Sequence, residues 1–554
     1  MNKVTAQLIR SSLLYASEEM GIALRNASYS PNIKERMDHS AALFDESGRL
    51  LAQAEHIPVH LGSLPWGLSN TISYCQREGM ELTEGSMVAV NNPYISGTHL
   101  NDVTVVAPVH AGGRLVGFAA NKAHHSDLGG EVPGSISIAS RTLQAEGFVT
   151  DPVYLMRGGE FLRRTLSEFS SHSRTPNERL GDLRAQAAAN LTGARRVSHL
   201  IGRYGLAAYR DAADASFDYS SRMTKIRLRA MKRGVFTAQD FLEAPGGIDV
   251  TLKVAVKISS GGIDVDYAGT DGQLDSPLNA VMGVTLSGVY FVVRALAGDD
   301  IPANHGAFAG IRVSAPVGCL LNPTPPHPVG AGNVETSQRN ADLLFRAFSG
   351  AIPERCPAAS GGSMNNVMIG GPSWAFYETI GVGLGGKAGM DGIDGIQSNM
   401  TNTMNTPIEE MERTLPIQVT RYEFREDSSG AGRFRGGDGV VRTFMATGDS
   451  TTFTVVSERE RHAPWGLFGG RDGTTTKVML IRRGRGRRIP SKGTYLLMRG
   501  DEVEVHTAGG GGYGNPEQRR AEDVREDLAD HLISSGYARA NYGLGGLKTP
   551  PRRK

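Results

Sequence analysis

Cysteine is scarce: the 554-residue chain holds Cys75, Cys319 and Cys356 and no others. Their odd number and wide spacing exclude a disulfide framework and a four-cysteine zinc site. Such usage fits a reducing compartment, so a cytoplasmic protein is expected. An excess of one charge sign is also missing. With 59 basic and 57 acidic residues the formal net charge is +2, which gives no bulk electrostatic signal for nucleic acid. The basic run Arg482, Arg483, Gly484, Arg485, Gly486, Arg487, Arg488 and the tail of residues 551–554 are the exceptions; the bland reading of such a run is a solvated strand end or loop. No stretch reaches the roughly 18 apolar residues of a membrane span. The first helix-like stretch carries Glu18 and Glu19 and lacks the apolar core of a signal peptide. A phosphate-binding Gly-x-x-x-x-Gly-Lys-Ser/Thr loop is absent, as are a strand–Gly-x-Gly-x-x-Gly–helix unit and a Gly-x-Ser-x-Gly elbow. The common nucleotide folds and the serine-hydrolase elbow therefore find no support.

Glycine is what the sequence has in abundance, 70 residues, close to twice the usual share of about 7%. The glycines stand in short clusters between apolar runs, without a collagen period. That pattern predicts many tight turns and places where backbone approaches backbone. Hydrophobic residues are 40% and charged residues 21%, ordinary for a globular chain.

The fold class expected is α+β: a multi-segment mixed core, a C-terminal β-rich module and a terminal helix. Residues 5–27 have the apolar spacing of one amphipathic helix. Residues 40–45 and 50–52 flank the turn Glu46-Ser47-Gly48 as a hairpin. Strands are expected over 87–90, 103–109 and 115–120, the last two joined through His110-Ala111-Gly112-Gly113. Helices are expected over 178–200 and 206–233, then strands over 248–258 and 263–267. Two further helices are expected over 286–296 and 342–348. Beyond residue 420, short β runs alternate with glycine turns, and residues 516–536 read as a charged helix. Three segments follow from these shifts: 1–240, 241–420 and 421–554.

Histidine beside carboxylate is the strongest local signal. His99 and Asp102 stand three residues apart just before one strand, and His124, His125 and Asp127 follow its hairpin partner. If the hairpin closes at Gly112-Gly113, the start of the first strand lies beside the end of the second, and the two clusters meet at one end of a sheet. Two imidazoles with a carboxylate suit a divalent metal with open positions, and mixed nitrogen and oxygen ligation suits zinc, manganese or iron. The competing reading makes these histidines surface or cap residues. His56 and His60 form a second pair, where Pro58 argues against a helical metal pair; a turn lining the same cleft is expected, with a satisfied core histidine as the alternative. A third cluster, Asn333, Glu335, Ser337 and Arg339, lies in one short polar run, and Ser360–Asn366 and Asn399–Pro407 are similarly rich in Ser, Thr and Asn. Such density can hold a carbonyl, amide or phosphate; a solvated loop is the alternative.

These segments together resemble one family. Residues 32–62 (NIKERMDHSAALFDESGRLLAQAEHIPVHLG), 92–109 (NPYISGTHLNDVTVVAPV), 123–134 (AHHSDLGGEVPG), 266–279 (DYAGTDGQLDSPLN), 332–339 (GNVETSQR), 427–439 (DSSGAGRFRGGDG) and 509–516 (GGGGYGNP) resemble the hydantoinase B/oxoprolinase family, in its order and across nearly the whole chain. The resemblance implies the B subunit of an ATP-dependent cyclic amide hydrolase of hydantoin, N-methylhydantoin or 5-oxoproline type, in a hetero-oligomer with a hydantoinase A-type subunit. That partner is expected to bind ATP and to phosphorylate the ring carbonyl. A divalent metal, zinc or manganese first, is implied on the B subunit, and the positions that match are His99, Asp102 and His124. Where familiar relatives have Thr-His-Leu-Pro-Asp, this chain has Asn101 for the proline, which leaves the ligand positions in place. His125 or Asp127 is expected as base or orienting group, and Asn333, Glu335, Ser337 and Arg339 as contacts to ring or phosphate. A subunit of a biotin-independent ketone carboxylase and a non-catalytic scaffold for the A-type partner are the competing readings. No nucleic acid and no membrane partner is expected.

Overall fold

The computed structural model describes residues 3–54 and 56–544; the basic tail 551–554 lies outside them. The chain divides into two compact units. The first comprises Met1–Val235, Val256–Asn333 and Pro372–Phe376, and the second Phe236–Ala255, Val334–Gly371 and Tyr377–Lys554. The three sequence segments follow pattern along the chain, whereas the units follow contact in space.

The first unit is built on a seven-stranded sheet. Its elements in chain order are helix α1 (Lys3–Ala27), strands β1 (His39–Asp45) and β2 (Leu50–Ala54), helix α2 (His60–Arg77), strands β3 (Met87–Val90), β4 (Asp102–Ala111), β5 (Arg114–His124), β6 (Val153–Arg157) and β7 (Glu160–Phe161), and helices α3 (Pro176–Tyr204), α4 (Leu206–Arg229) and α5 (Met282–Ala297). The strand order is β2-β1-β5-β4-β3-β6-β7, with every neighbouring pair antiparallel. Strands β1 and β2 are buried along their whole length because both faces of the sheet are covered. Ala41, Leu43, Ala119 and Ala123 face Leu13, Met20, Ala185 and Ala189 of α1 and α3. Ala42, Phe44, Phe118 and Ala120 face Leu64 and Leu68 of α2. This explains why these antiparallel strands read as apolar runs rather than alternating ones.

The β4–β5 hairpin closes as its sequence suggests. Ala111 pairs with Arg114, and Gly112 and Gly113 both have positive φ, 58° and 76°. That is the turn class that matches the twist of two antiparallel strands. At the far end of the ladder Asp102 pairs with His124, so their side chains share a face.

Helix α2 departs from expectation. Residues 56–62 carry the pattern of a turn, yet His60 opens an eighteen-residue helix that contains Pro65. Two glycines let it pack closely. A Cβ on Gly62 would come 2.7 Å from Ser287 N, and one on Gly67 would come 2.3 Å from Ser96 O. Both amides of Gly62 and Ser63 donate to Ser287 Oγ at 3.0 and 2.9 Å, which stands in for the bonds that a helix start leaves unmade.

The second unit contains an antiparallel sheet in the order Ile417–Phe424, Val440–Ala446, Glu502–His506, Lys477–Arg482, Arg485–Ile489. The arginine run forms its outer hairpin, with Arg482 opposite Arg485 and positive φ at Arg483 and Gly484. Asn366–Gly371, Thr451–Val456 and Lys492–Leu497 form a second antiparallel ladder. The expected terminal helix is two helices, Ala521–Ala529 and Ser535–Tyr542. His531 has positive φ, and the Ser534 amide donates to Asp427 Oδ1 at 2.7 Å, so the chain turns there and restarts.

Most of the unit's glycines serve neither sheet nor helix. Extended segments around Gly361, Gly383–Gly386, Gly430–Gly437, Gly466–Gly473 and Gly509–Gly512 lie side by side and bond backbone to backbone. Gly361 N donates to Gly383 O, Gly437 N to Leu384 O, Gly510 N to Gly437 O, Gly430 N to Gly510 O, Gly511 N to Ala359 O and Gly512 N to Arg471 O, at 2.7–2.8 Å. A Cβ on Gly383, Gly436, Gly510 or Gly512 would meet a carbonyl oxygen at 1.9–2.1 Å. These residues are glycine for want of space, so that several backbones can run in direct contact, and the abundance of glycine in the composition follows.

Candidate metal centre

The β4–β5 ladder brings His99, Asp102 and His124 together in the first unit. His99 Nε2 lies 3.1 Å from Asp102 Oδ1 and 3.1 Å from His124 Nδ1, and His124 Nδ1 lies 3.2 Å from Asp102 Oδ1. All three side chains are buried. Donor atoms held about 2.1 Å from one ion at tetrahedral or octahedral angles sit about 3.0–3.4 Å from each other. The triangle has those sides.

The hydrogen bond on the other side of His99 sharpens this. Its Nδ1 lies 3.0 Å from the carbonyl oxygen of Gly330. A carbonyl only accepts, so Nδ1 carries the proton and, in the neutral ring, Nε2 presents a lone pair. That lone pair faces a carboxylate oxygen. A proton placed among the three atoms satisfies two of them, whereas a divalent cation satisfies all three at once, so the residues present fit such an ion.

The surroundings tune the charges. Burial opposes ionisation of Asp102, yet the His99 charge and the hydrogen bonds from His124, His60 and His99 hold its carboxyl well below the usual range. Burial lowers His99, and the Asp102 charge and hydrogen bond outweigh it, so its pKa is raised. Burial dominates at His124, whose pKa is lowered. The second oxygen of Asp102 is also engaged: His60 Nε2 lies 3.3 Å away and Asn333 Nδ2 3.4 Å. Ser40 Oγ lies 3.0 Å from His60 Nδ1.

The other residues singled out by sequence fall in different places. His125 is buried one residue beyond the triangle, its Nε2 3.0 Å from Gln186 Oε1 and its backbone amide donating to Asn101 O. Burial, then the Arg179 charge, pushes its pKa down to about 4, so it is neutral at physiological pH. Asp127 accepts from the Arg174 guanidinium at 2.8 Å, the Arg174 amide at 2.7 Å and the Gly134 amide at 3.1 Å, and it fixes the loop after β5. Asn333, the last residue of its segment in the first unit, contacts Asp102. Glu335, Ser337 and Arg339 belong to the second unit and are buried there. Glu335 Oε1 accepts from Asn366 Nδ2 at 2.7 Å, and burial followed by repulsion from Glu458 raises its pKa well above the usual value. Arg339 pairs with Glu458 at 3.1 Å and Asp240 at 3.5 Å. A five-residue π-helical turn, Gly332–Thr336, carries Asn333 and Glu335, a conformation that recurs at functional sites.

The sequence pattern of the Hydantoinase B/oxoprolinase family matches residues 2–516. The chain belongs to this family. A relative from Pseudomonas sp. (strain NS671), named as the B component of a D-/L-hydantoinase, is 30% identical over 568 residues, covering 98% of this chain and 95% of its own. The 5-oxoprolinase of Dictyostelium discoideum is 33% identical over 511 residues, 90% of this chain but 39% of its own length, so the chain spans about two-fifths of that relative. The crystal structure of the ATP-dependent caprolactamase from Pseudomonas jessenii superposes with a TM-score of 0.92 at 27% identity, over 100% of this chain and 98% of that one. An acetone carboxylase structure shares the fold, with a TM-score of 0.90 at 17% identity over 98% and 79%.

Several residues around this candidate site in the hydantoinase B chain escaped the sequence reading, whereas His60 of α2 was already singled out by its spacing from His56. Ser40 comes from β1, Gly330 from far along the chain, and Lys122 from β5. Lys122 Nζ is buried and donates to Ser96 O at 2.7 Å and Thr98 Oγ1 at 2.8 Å, which steadies the turn that presents His99. The signal for Lys122 was available: a lysine in the middle of an apolar strand must find partners inside. No helix among the described residues is long and apolar enough to cross a membrane.

Proposed function

We propose that the chain is the B subunit of an ATP-dependent cyclic amide hydrolase, acting on rings of the hydantoin, N-methylhydantoin or 5-oxoproline type beside a hydantoinase A-type subunit that carries the ATP. The observation that carries this reading is the buried triangle of His99 Nε2, Asp102 Oδ1 and His124 Nδ1, with sides of 3.1–3.2 Å. The names of the relatives support the substrate class.

The chemistry needs both halves. A cyclic amide is a poor electrophile because attack destroys its resonance, and phosphorylation of the carbonyl oxygen by the partner removes that protection. A divalent cation held by His99, Asp102 and His124 would lower the pKa of water and supply hydroxide at neutral pH. The chain's own residues prepare the place. Asp102 supplies negative charge at neutral pH, since its carboxyl titrates well below that range. His60 and Asn333 hold its second oxygen and so leave Oδ1 for the triangle. Gln186 fixes the His125 ring, and Arg174 fixes Asp127. We assign both residues to positioning the strand end that carries His124.

The test has two stages. Metal content is measured on the purified chain and on His99→Ala and Asp102→Ala. About one divalent ion per chain, lost in both variants, is expected. The chain is then combined with an A-type subunit and ATP, and offered hydantoins, 5-oxoproline and caprolactam, with acetone and labelled bicarbonate in parallel. Ring opening with ATP consumption supports the hydrolase, and fixation of label into the ketone replaces it with a carboxylase. A metal-free wild type, with turnover unchanged in the variants, leaves only a scaffold.

A further inference from the structure

A buried carboxylate outside the triangle reaches it through the backbone. Glu146 ends the short helical turn Leu143–Glu146 and is 1% exposed. Its two oxygens take two successive amides: Gly330 N donates to Oε1 at 2.7 Å and Val329 N to Oε2 at 3.1 Å. The Gly330 carbonyl is the group that accepts from His99 Nδ1. The contact is close enough that a Cβ on Gly330 would sit 2.9 Å from Glu146 Oε1. Two further bonds seat the same loop, Leu143 N to Pro326 O at 2.9 Å and Tyr94 Oη to His327 O at 2.8 Å.

We propose that Glu146 is a positioning residue for the metal centre: by clamping the Val329 and Gly330 amides it aims the Gly330 carbonyl at His99 Nδ1 and so fixes the ring tautomer and orientation that offer Nε2 as a ligand. The inference rests on reading the triangle as a metal site. Two acceptor oxygens explain the choice of residue. A buried carboxylate needs donors on both oxygens, and two neighbouring backbone amides provide them in a fixed direction. Glu146 thereby does for His99 what a carboxylate bonded directly to a ligand histidine does elsewhere, with one peptide group interposed.

The experiment compares Zn2+ affinity, by competition with a chromophoric chelator, in the full-length wild type, Glu146→Ala, Glu146→Gln and Gly330→Ala. Visible spectra of the Co2+-loaded proteins are recorded alongside. Glu146→Ala is expected to weaken Zn2+ binding about 10–100-fold, the usual effect of removing an outer partner of a ligand histidine, and to shift the Co2+ bands. Glu146→Gln keeps one of the two acceptors and should fall between. Gly330→Ala keeps the carboxylate, crowds it, and should weaken binding as well, so the inference stands on a second variant if Glu146→Ala folds poorly. Wild-type Zn2+ binding with affinities within twofold in Glu146→Ala and Gly330→Ala overturns this inference alone. A wild type that takes up neither ion overturns the metal reading together with it.

Discussion

Replacing Gly510 by alanine puts a methyl carbon 2.0 Å from the Leu384 carbonyl oxygen, 2.3 Å from its carbon and 2.8 Å from Gly385 N. Ordinary contact begins near 3.4 Å, so one backbone must retreat by more than an ångström. Neither can do so alone. Leu384 O accepts from Gly437 N at 2.7 Å, Gly510 N donates to Gly437 O at 2.8 Å, and Gly510 O accepts from Gly430 N at 2.8 Å. Parting the segments leaves at least two buried backbone groups unpaired, at about 1–3 kcal/mol each, and overpacking adds a further cost of about 1–3 kcal/mol. A loss of about 3–9 kcal/mol follows, which for a unit of this size lowers its Tm by roughly 6 °C or more. Differential scanning calorimetry reads the shift, and hydrogen exchange should show faster exchange at the Gly437 and Gly510 amides. Gly202→Ala is the control. That residue lies in α3 with nothing within 4 Å of its Cβ position, and alanine there should stabilise by about 0.5–1 kcal/mol. A Gly510→Ala protein that melts within about 1 °C of wild type, with unchanged exchange, refutes the close-packing account of the glycines.

Acid should destabilise the first unit above the ordinary carboxylate range. Burial, then the His56 charge, lowers His39 to about 3, and His125 lies at about 4; both are near 6.5 when unfolded. Between these limits the unfolded chain binds protons that the native chain refuses, so stability falls as pH drops from 6.5, by up to about 1.4 kcal/mol per pH unit for each group. Thermal melts should show this slope, with His125→Asn making it shallower. Lys122→Met removes the donor to Ser96 O and Thr98 Oγ1 and strands two buried acceptors, so a loss of about 2–4 kcal/mol with weakened metal uptake is expected from denaturation and chelator competition. Arg174→Ala leaves Asp127 buried without its cation, and the partial exposure of Arg174 puts the loss at the low end of the roughly 3–5 kcal/mol seen for broken buried pairs; a melt unchanged within error would show that backbone amides alone hold Asp127.

Local pattern was enough for the hairpin that carries the proposed ligands. Gly112 and Gly113 mark the turn, two apolar runs flank it, and antiparallel pairing then places Asp102 opposite His124. The same logic failed where partners are remote in sequence. Nothing near His99 in the chain points to Gly330, and nothing near Gly330 points to Glu146, because those bonds come from the packing of a distant loop. Helix α2 was hidden for another reason. Gly62, Pro65 and Gly67 lower its intrinsic helicity, and it forms because Ser287 bonds its first amides and Ser96 packs against its glycine. Its first residue, His60, therefore carries the local pattern of a turn. At the C-terminal end the charged stretch looks continuous, and the positive φ at His531 with the tie between Ser534 and Asp427 shows where it folds back. The glycine clusters were legible as unusual but not as a structure, since extended backbones packed side by side have neither the period of a helix nor that of a strand.

The spacing of the three proposed ligands along the chain has a kinetic consequence. Residues 99 to 124 form one hairpin, and contacts of such short sequence separation arise early, within microseconds for an isolated hairpin. The His99–Gly330 bond joins residues 231 apart and must wait for the rest of the unit. If the triangle holds an ion as proposed, capture of that ion and fixation of its ligand are separable events in time. A refolding chain given Zn2+ should collapse onto a loosely held ion first and tighten its grip in a later, slower phase, when the loop carrying Gly330 docks.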